Sequence, residues 1–275
     1  MLKSEEFITW IETSHALFEL FESRFDAYPL ARRWVDEWYE KGCFKPEREE
    51  LERLRSLVSG LNPRAWEIRE EIWSSMSEQL HQLIGHLQGS VSNVGLAIAH
   101  YLSIWNIRRF TAYFERRRDF SLTSYFTLLG EQLEEMKSEL ARYRLMSLLR
   151  DRVEEDGVRQ LFRRVNTVLR ELGIGQDEPV GTIKVLHIFA PYYFPLLDNP
   201  IASSLSITRG KQGKISAKKY VEWMHTLKNW LQNYADVVEK LEEEYGESIL
   251  KLVDEGLYIM CTVSLKRRVN LLAIR

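Results

Sequence analysis

Lys184 and Asp198 are the two residues whose chemical types and placement admit covalent chemistry, 14 positions apart in the apolar stretch 180–201. An amine is a nucleophile only once it has lost its proton, which burial or cationic neighbours bring about by lowering its pKa. A carboxylate at a helix start is held ionised by the helix dipole and stabilises positive charge that develops in front of it. His187 follows Lys184 by three residues and so shares its helical face. The structural alternative for each is simple. Lys184 extends to solvent from an apolar helix, Asp198 and Asn199 cap the next helix, and His187 is a hydrogen-bonded core residue.

The elements that must position these groups are marked by punctuation. Gly173-Ile174-Gly175 ends one helix, and Asp177, Glu178 and Pro179 supply the first-turn negative charge and preset φ that begin another. Pro191 must bend or stop that helix, because its ring cannot continue it. Asn199 as cap and Pro200 as first helical residue predict a further start there. Lys184 and Asp198 thus fall near the starts of two short consecutive helices with the aromatic turn Tyr192-Tyr193-Phe194 between them.

The run Val180-Gly181-Thr182-Ile183-Lys184-Val185, followed by Pro195-Leu196-Leu197-Asp198, resembles the active-site segment of the helix-hairpin-helix DNA glycosylases, especially the 8-oxoguanine type. Lys184-Val185-Leu186-His187 with the prolines and aspartate that follow also resembles proteins of uncharacterised activity grouped with that fold. In the family a glycine-containing hairpin delivers a lysine and a downstream segment delivers an aspartate. Here Gly181 stands three residues before the lysine rather than two, and the lysine–aspartate interval is shorter than the family's. The resemblance implies DNA N-glycosylase and abasic-site lyase activity on a flipped, damaged base. Lys184 would attack C1′ and form a Schiff base while Asp198 stabilises the cationic sugar. It also implies substrate contacts from His187, Tyr192, Tyr193, Phe194 and Asn199, with aromatic rings stacking the extruded base. Gly181, Thr182, Arg209, Lys211 and Lys214 would meet the DNA backbone. For the aromatic run, filling the space between helices is the first reading. The alternative function is a non-catalytic helical protein that keeps the fold for nucleic-acid or protein recognition.

The loop 208–214 is basic but is no Walker loop, since Thr208 stands where the first glycine belongs and Ile215 follows Lys214. Arg108, Arg109 and Arg116-Arg117-Arg118 end an expected helix, where arginine is favoured by the dipole, and this outweighs a phosphate patch. Glu78/His81 and Glu222/His225 each set a carboxylate and an imidazole on one helical face, the pairing of di-metal carboxylate bundles. With glutamate so common in the chain, a metal site built on them is a distant third reading. No cofactor is expected. Cys43 and Cys261 are the only cysteines in 275 residues, too few for a disulfide framework, a thiolate zinc site or a four-cysteine iron–sulfur cluster.

With 45% apolar and 28% charged residues and a formal charge of −2, the composition is that of a globular protein. It leaves DNA recognition to a local basic stripe. The acidic start Met1-Leu2-Lys3-Ser4-Glu5-Glu6 does not read as a leader, and no apolar run is long enough for a bilayer, so a cytoplasmic, non-membrane protein is expected. The charged composition hints at a thermophile. Helical periodicity predicts helices over 5–24, 29–42, 46–60, 63–89, 91–118, 121–152, 158–172, 179–191, 217–245 and from 248, with the tail 258–275 ambiguous. The fold class is all-α: a two-lobed orthogonal bundle with a helix-hairpin-helix-like segment near 173–202. An N-terminal lobe of 1–118 and a C-terminal lobe of 119–275 are expected.

Overall fold

Every regular element of the described residues is helical, with one isolated antiparallel bridge between Phe44 and Val91. The computed structural model describes residues 2–22, 26–208 and 214–263. Its helices are α1 Ser4–Phe21, α2 Tyr28–Lys41, α3 Arg48–Gly60, α4 Glu70–Gly85, α5 Val94–Trp105, α6 Ile107–Arg116, α7 Leu122–Glu135 and α8 Lys137–Arg144. They continue with α9 Glu155–Leu172, α10 Pro179–Phe189, α11 Asn199–Ser204, α12 Ala217–Leu231, α13 Ala235–Tyr245 and α14 Ile249–Tyr258. The all-α class is therefore as expected. No helix among the described residues is long and apolar enough to cross a membrane.

Several expected ends marked by glycine or a capping residue coincide with observed ends. Gly42 closes α2 in the left-handed region at φ 74°, where only glycine avoids a Cβ clash. Ser121, Ser216 and Ser248 each accept a backbone N–H three residues on and so start α7, α12 and α14. Four expected long helices are instead broken. The segment 63–89 begins as a single 3-10 turn, Pro63–Trp66, and Glu67 at φ 58° separates it from α4. Residues 91–118 divide at Asn106, whose ψ of 32° ends α5 and begins α6. The 121–152 helix stops at Met136 and again after Arg144. The 217–245 helix tightens to a 3-10 turn over Gln232–Tyr234, where the Tyr234 ring stacks on Phe7 at 4.1 Å. Within the tail, α14 runs to Tyr258 and a π-helical turn covers Ile259–Val263; the remainder lies outside the described residues.

The chain forms two compact units: one from the described residues of Met1–Ser23, Arg142–Arg164 and Thr182–Arg275, the other from those of Arg24–Ala141 and Val165–Gly181. The boundary expected at 118–119 falls within the second of these. That second unit is built on α5, which is buried on nearly all sides. Gly95 of α5 meets Gly130 of α7 so closely that a Cβ on Gly95 would sit 2.7 Å from the Gly130 nitrogen. Phe110, Tyr113, Phe120, Tyr125 and Phe126 form its aromatic core. The first unit packs α1 against α13 and α14, with Phe7, Trp10, Trp230 and Tyr234 interleaved.

Candidate functional site

The helix that carries Lys184 starts at Pro179, and its entry is held by side chains of the second unit. Gly175 at φ 74° turns the chain, and Asn166 Oδ1 accepts the Glu178 N–H at 2.7 Å. Arg109 donates to Gln176 Oε1 at 3.0 Å and the Asp177 carbonyl at 2.6 Å, while Arg117 donates to the Leu172 and Gly173 carbonyls. Two of the arginines read as a solvated helix end are thus clamps on the α9–α10 turn. Glu178, only 5% exposed, lies over the first turn of α10, where Gly181 leaves room for its carboxylate. Gly181 and Thr182 are both buried. Neither presents a side chain to a DNA backbone, because acidic groups and packing already occupy this helix start.

Beyond Thr182, α10 is apolar around most of its circumference: Ile183, Val185, Leu186, Ile188 and Phe189 are inaccessible to solvent. Lys184 is its partly exposed exception. His187 is fully buried, and its Nδ1 lies 2.7 Å from the Phe194 carbonyl oxygen. It is a core histidine, so the substrate contact expected of it is not available. The helix ends at Phe189, two residues before Pro191.

The segment between α10 and α11 is fixed from two sides. The Tyr193 hydroxyl accepts the Glu154 N–H at 2.8 Å and donates to the Arg152 carbonyl, with its ring stacked on Tyr143. The Tyr220 hydroxyl donates to the Pro195 carbonyl at 2.8 Å, and Trp223 Nε1 to that of Leu196. Tyr193 and Phe194 are therefore buried filling, as the structural reading of the aromatic run has it, and only Tyr192 is exposed. Asp198 is the cap of α11, with Oδ1 accepting the Ile201 N–H at 2.7 Å; Asn199, expected as the cap, is instead its exposed first helical residue. The shift by one residue follows from side-chain reach, since Asp198 stands three before the N–H it caps.

Lys184 and Asp198 act on one another. Burial raises the Asp198 pKa, and the Ile201 N–H and the Lys184 charge oppose that rise. The same lysine acts on Asp254 of α14, a carboxyl that burial pushes up to about 7. Asp254 was not singled out in the sequence, nor were the groups around it. Lys251 and Glu255, both nearly inaccessible, pair at 2.9 Å; His15 of α1 lies 2.7 Å from Glu255, and Lys251 Nζ sits 4.3 Å from the Phe18 ring centroid. Burial works against the charge of Glu255, yet Lys251 and His15 together hold its pKa below the usual carboxylate value. The one signal in the sequence was three charged residues in the otherwise apolar run 249–257.

Lys214 is exposed, and Arg209 and Lys211 lie outside the described residues. His225 pairs with Glu155 at 3.0 Å, Glu222 lies 3.9 Å from Lys218, and Glu78 accepts from Gln82. Among the described residues no three His, Cys, Asp or Glu side chains gather as a metal site requires, so the di-metal reading of Glu78, His81, Glu222 and His225 has no site there. Comparison with models of known protein families, with characterised proteins and with solved structures finds no match. The functional reading therefore rests on the residues of the site.

Proposed function

We propose that the protein binds DNA and excises a damaged base, with Lys184 as the attacking amine and Asp198 as the carboxylate that faces the developing sugar cation. The observation that supports this reading is that Lys184 is the partly exposed polar residue of an otherwise buried α10, while Asp198, which caps the next helix, feels its charge. In the reaction the neutral amine forms a bond to C1′ as the base departs with the electrons of the glycosidic bond and is protonated. Ring opening then yields an imine to C1′, from which elimination breaks the strand. Asp198 is suited to its part because its cap bond holds one oxygen at Ile201 while its charge acts on Lys184.

The test is borohydride trapping on duplexes that contain an abasic site or 8-oxoguanine. The wild-type chain is expected to give a covalent adduct, Lys184→Ala none. Asp198→Asn, which preserves the cap, is expected to excise on the order of 10²–10³-fold more slowly. If the wild type traps no lesion of a panel yet still binds DNA, the alternative holds: a helical recognition protein without catalysis. Burial of Tyr193 and Phe194 favours that alternative, since it leaves Tyr192 alone of the three to stack a flipped base.

A further inference from the structure

α1 is held to its unit by packing alone. With its flanking residues it is the only described part of the first unit that precedes Arg142 in the chain, and it lies against α13, α14 and the turn Ile259–Val263. Its contact with α14 combines apolar packing with one charged cluster. Gly256 leaves to the Trp10 indole the space that a Cβ would fill, and the Phe18 ring meets that of Tyr258 with centroids 6.2 Å apart. His15 brings the charge: its Nδ1 lies 2.7 Å from Glu255 Oε2, and the other oxygen of that carboxylate accepts from Lys251 Nζ at 2.9 Å. The side chains of Glu255 and Lys251 are 4% and 6% exposed, whereas the imidazole keeps 21%. Solvent protons therefore reach the histidine, while the carboxylate it binds is shielded from water.

We infer that His15 is a proton-operated latch: when protonated it ties α1 to Glu255 of α14 by a charge-assisted hydrogen bond, and when it loses the proton α1 loosens from its unit. The inference is independent of any chemistry at Lys184. The hydrogen bond with Glu255 raises the His15 pKa above the ordinary 6.5, helped by the charges of Glu255 and Glu19 and opposed by burial and Lys251. From α13 the Tyr245 ring stands edge-on to the imidazole at 4.7 Å, and Glu244 and Glu12 act on that tyrosine. Asp254, the remaining acid of this part of α14, is acted on by Lys251 and Glu255; the turn contributes Cys261, whose thiol bonds with Ser204. The folded chain holds the His15 proton more tightly than the unfolded one, so the stabilisation is complete below about pH 6.5 and is lost as pH rises through the raised value. Glu255, held below its ordinary 4.5, supplies its charge throughout that range and loses it only in stronger acid. Neutral imidazole still has an N–H to donate, so the contact weakens by the difference between a charged and an uncharged hydrogen bond. What α1 covers is aromatic and apolar: Phe7 and Trp10 lie on the rings of Trp230 and Tyr234, and Phe18 on that of Tyr258.

The full chain is followed by hydrogen–deuterium exchange with peptide mass spectrometry over roughly pH 5 to 9. At each pH the protection of α1 in the wild type is divided by that in His15→Gln, whose amide is a donor for Glu255 but does not titrate. This ratio is expected to be on the order of five below about pH 6.5 and to fall to about one as pH rises above it, while the same ratio for α10 stays constant. Titration of Asp254 and Glu178 is common to both chains and cancels in the ratio. A ratio for α1 that does not change with pH, or one that changes equally in α10, overturns the inference. In the wild-type chain alone, the ring resonance of His15 is expected to titrate with a midpoint above 6.5; a midpoint at or below that value overturns the inference as well, and this outcome requires no variant to fold.

Discussion

Glu178→Gln is expected to stabilise the protein at alkaline pH and to leave it unchanged in acid. Glu178 is buried at the start of α10, and its Oε1 accepts no hydrogen bond. Arg109 stands 3.5 Å from that oxygen through Nε, but its terminal nitrogens are engaged by Gln176 and the Asp177 carbonyl. Desolvation therefore outweighs the attraction, and the carboxyl rises from its ordinary 4.5 to about 7. At about 1.4 kcal/mol per tenfold change in proton affinity, ionised Glu178 costs the folded state about 3 kcal/mol. The folded chain holds this proton more tightly than the unfolded one, so the favourable contribution is complete below about pH 4.5 and is lost as pH rises through about 7. Glutamine mimics the protonated form at every pH. The melting temperatures of wild type and Glu178→Gln should coincide near pH 4, separate between about pH 4.5 and 7 and stay apart above that, with the variant higher on the order of 5–10 °C. Thermal unfolding followed by circular dichroism at a series of pH values reads this difference. Parallel curves, or a variant less stable at pH 8, would show that Arg109 compensates Glu178 after all and that the reasoning is wrong.

Three further substitutions separate kinds of close packing and pairing. Gly95→Ala drives a methyl into the backbone of α7, whereas Gly256→Ala meets the ring of Trp10. The first should cost more than the ordinary 1–3 kcal/mol of overpacking, the second should stay within it, and Trp10 fluorescence should shift only in the second; equal losses in denaturant unfolding would refute the distinction. Lys251→Met leaves Glu255 buried with His15 as its remaining partner and is expected to cost about 3 kcal/mol, most of which Lys251→Met/Glu255→Leu should recover. A double variant no more stable than the single one would show that the pair itself is strongly favourable.

Local signals were legible along the chain. Gly42, Gly175, Pro179, Ser121, Ser216 and Ser248 act through bonds or steric limits that reach no further than four or five residues, and each marks the end or start expected of it. The cap of α11 was misplaced by one residue because Asp198 and Asn199 are both good caps and only the bond to Ile201 decides between them. Long periodic stretches misled for a different reason. The apolar pattern continues through Asn106 and Met136, and nothing within a few residues requires the breaks found there.

What the sequence alone determined is the all-helical class, many helix boundaries and the presence of a lysine and an aspartate on neighbouring short helices, of which only Asp198 stands at a helix start while Lys184 falls in the middle of α10. Tertiary structure decided which charges meet. His15 reaches Glu255 across 240 positions, and Asp254 enters the field of Lys184 and Asp198 only because α14 and the turn after it are folded back onto the first unit's other helices. The difference is one of range. Capping and periodicity are set by neighbours along the chain, whereas desolvation and Coulomb interaction depend on whatever is packed nearby in space, and no spacing in the sequence encodes that.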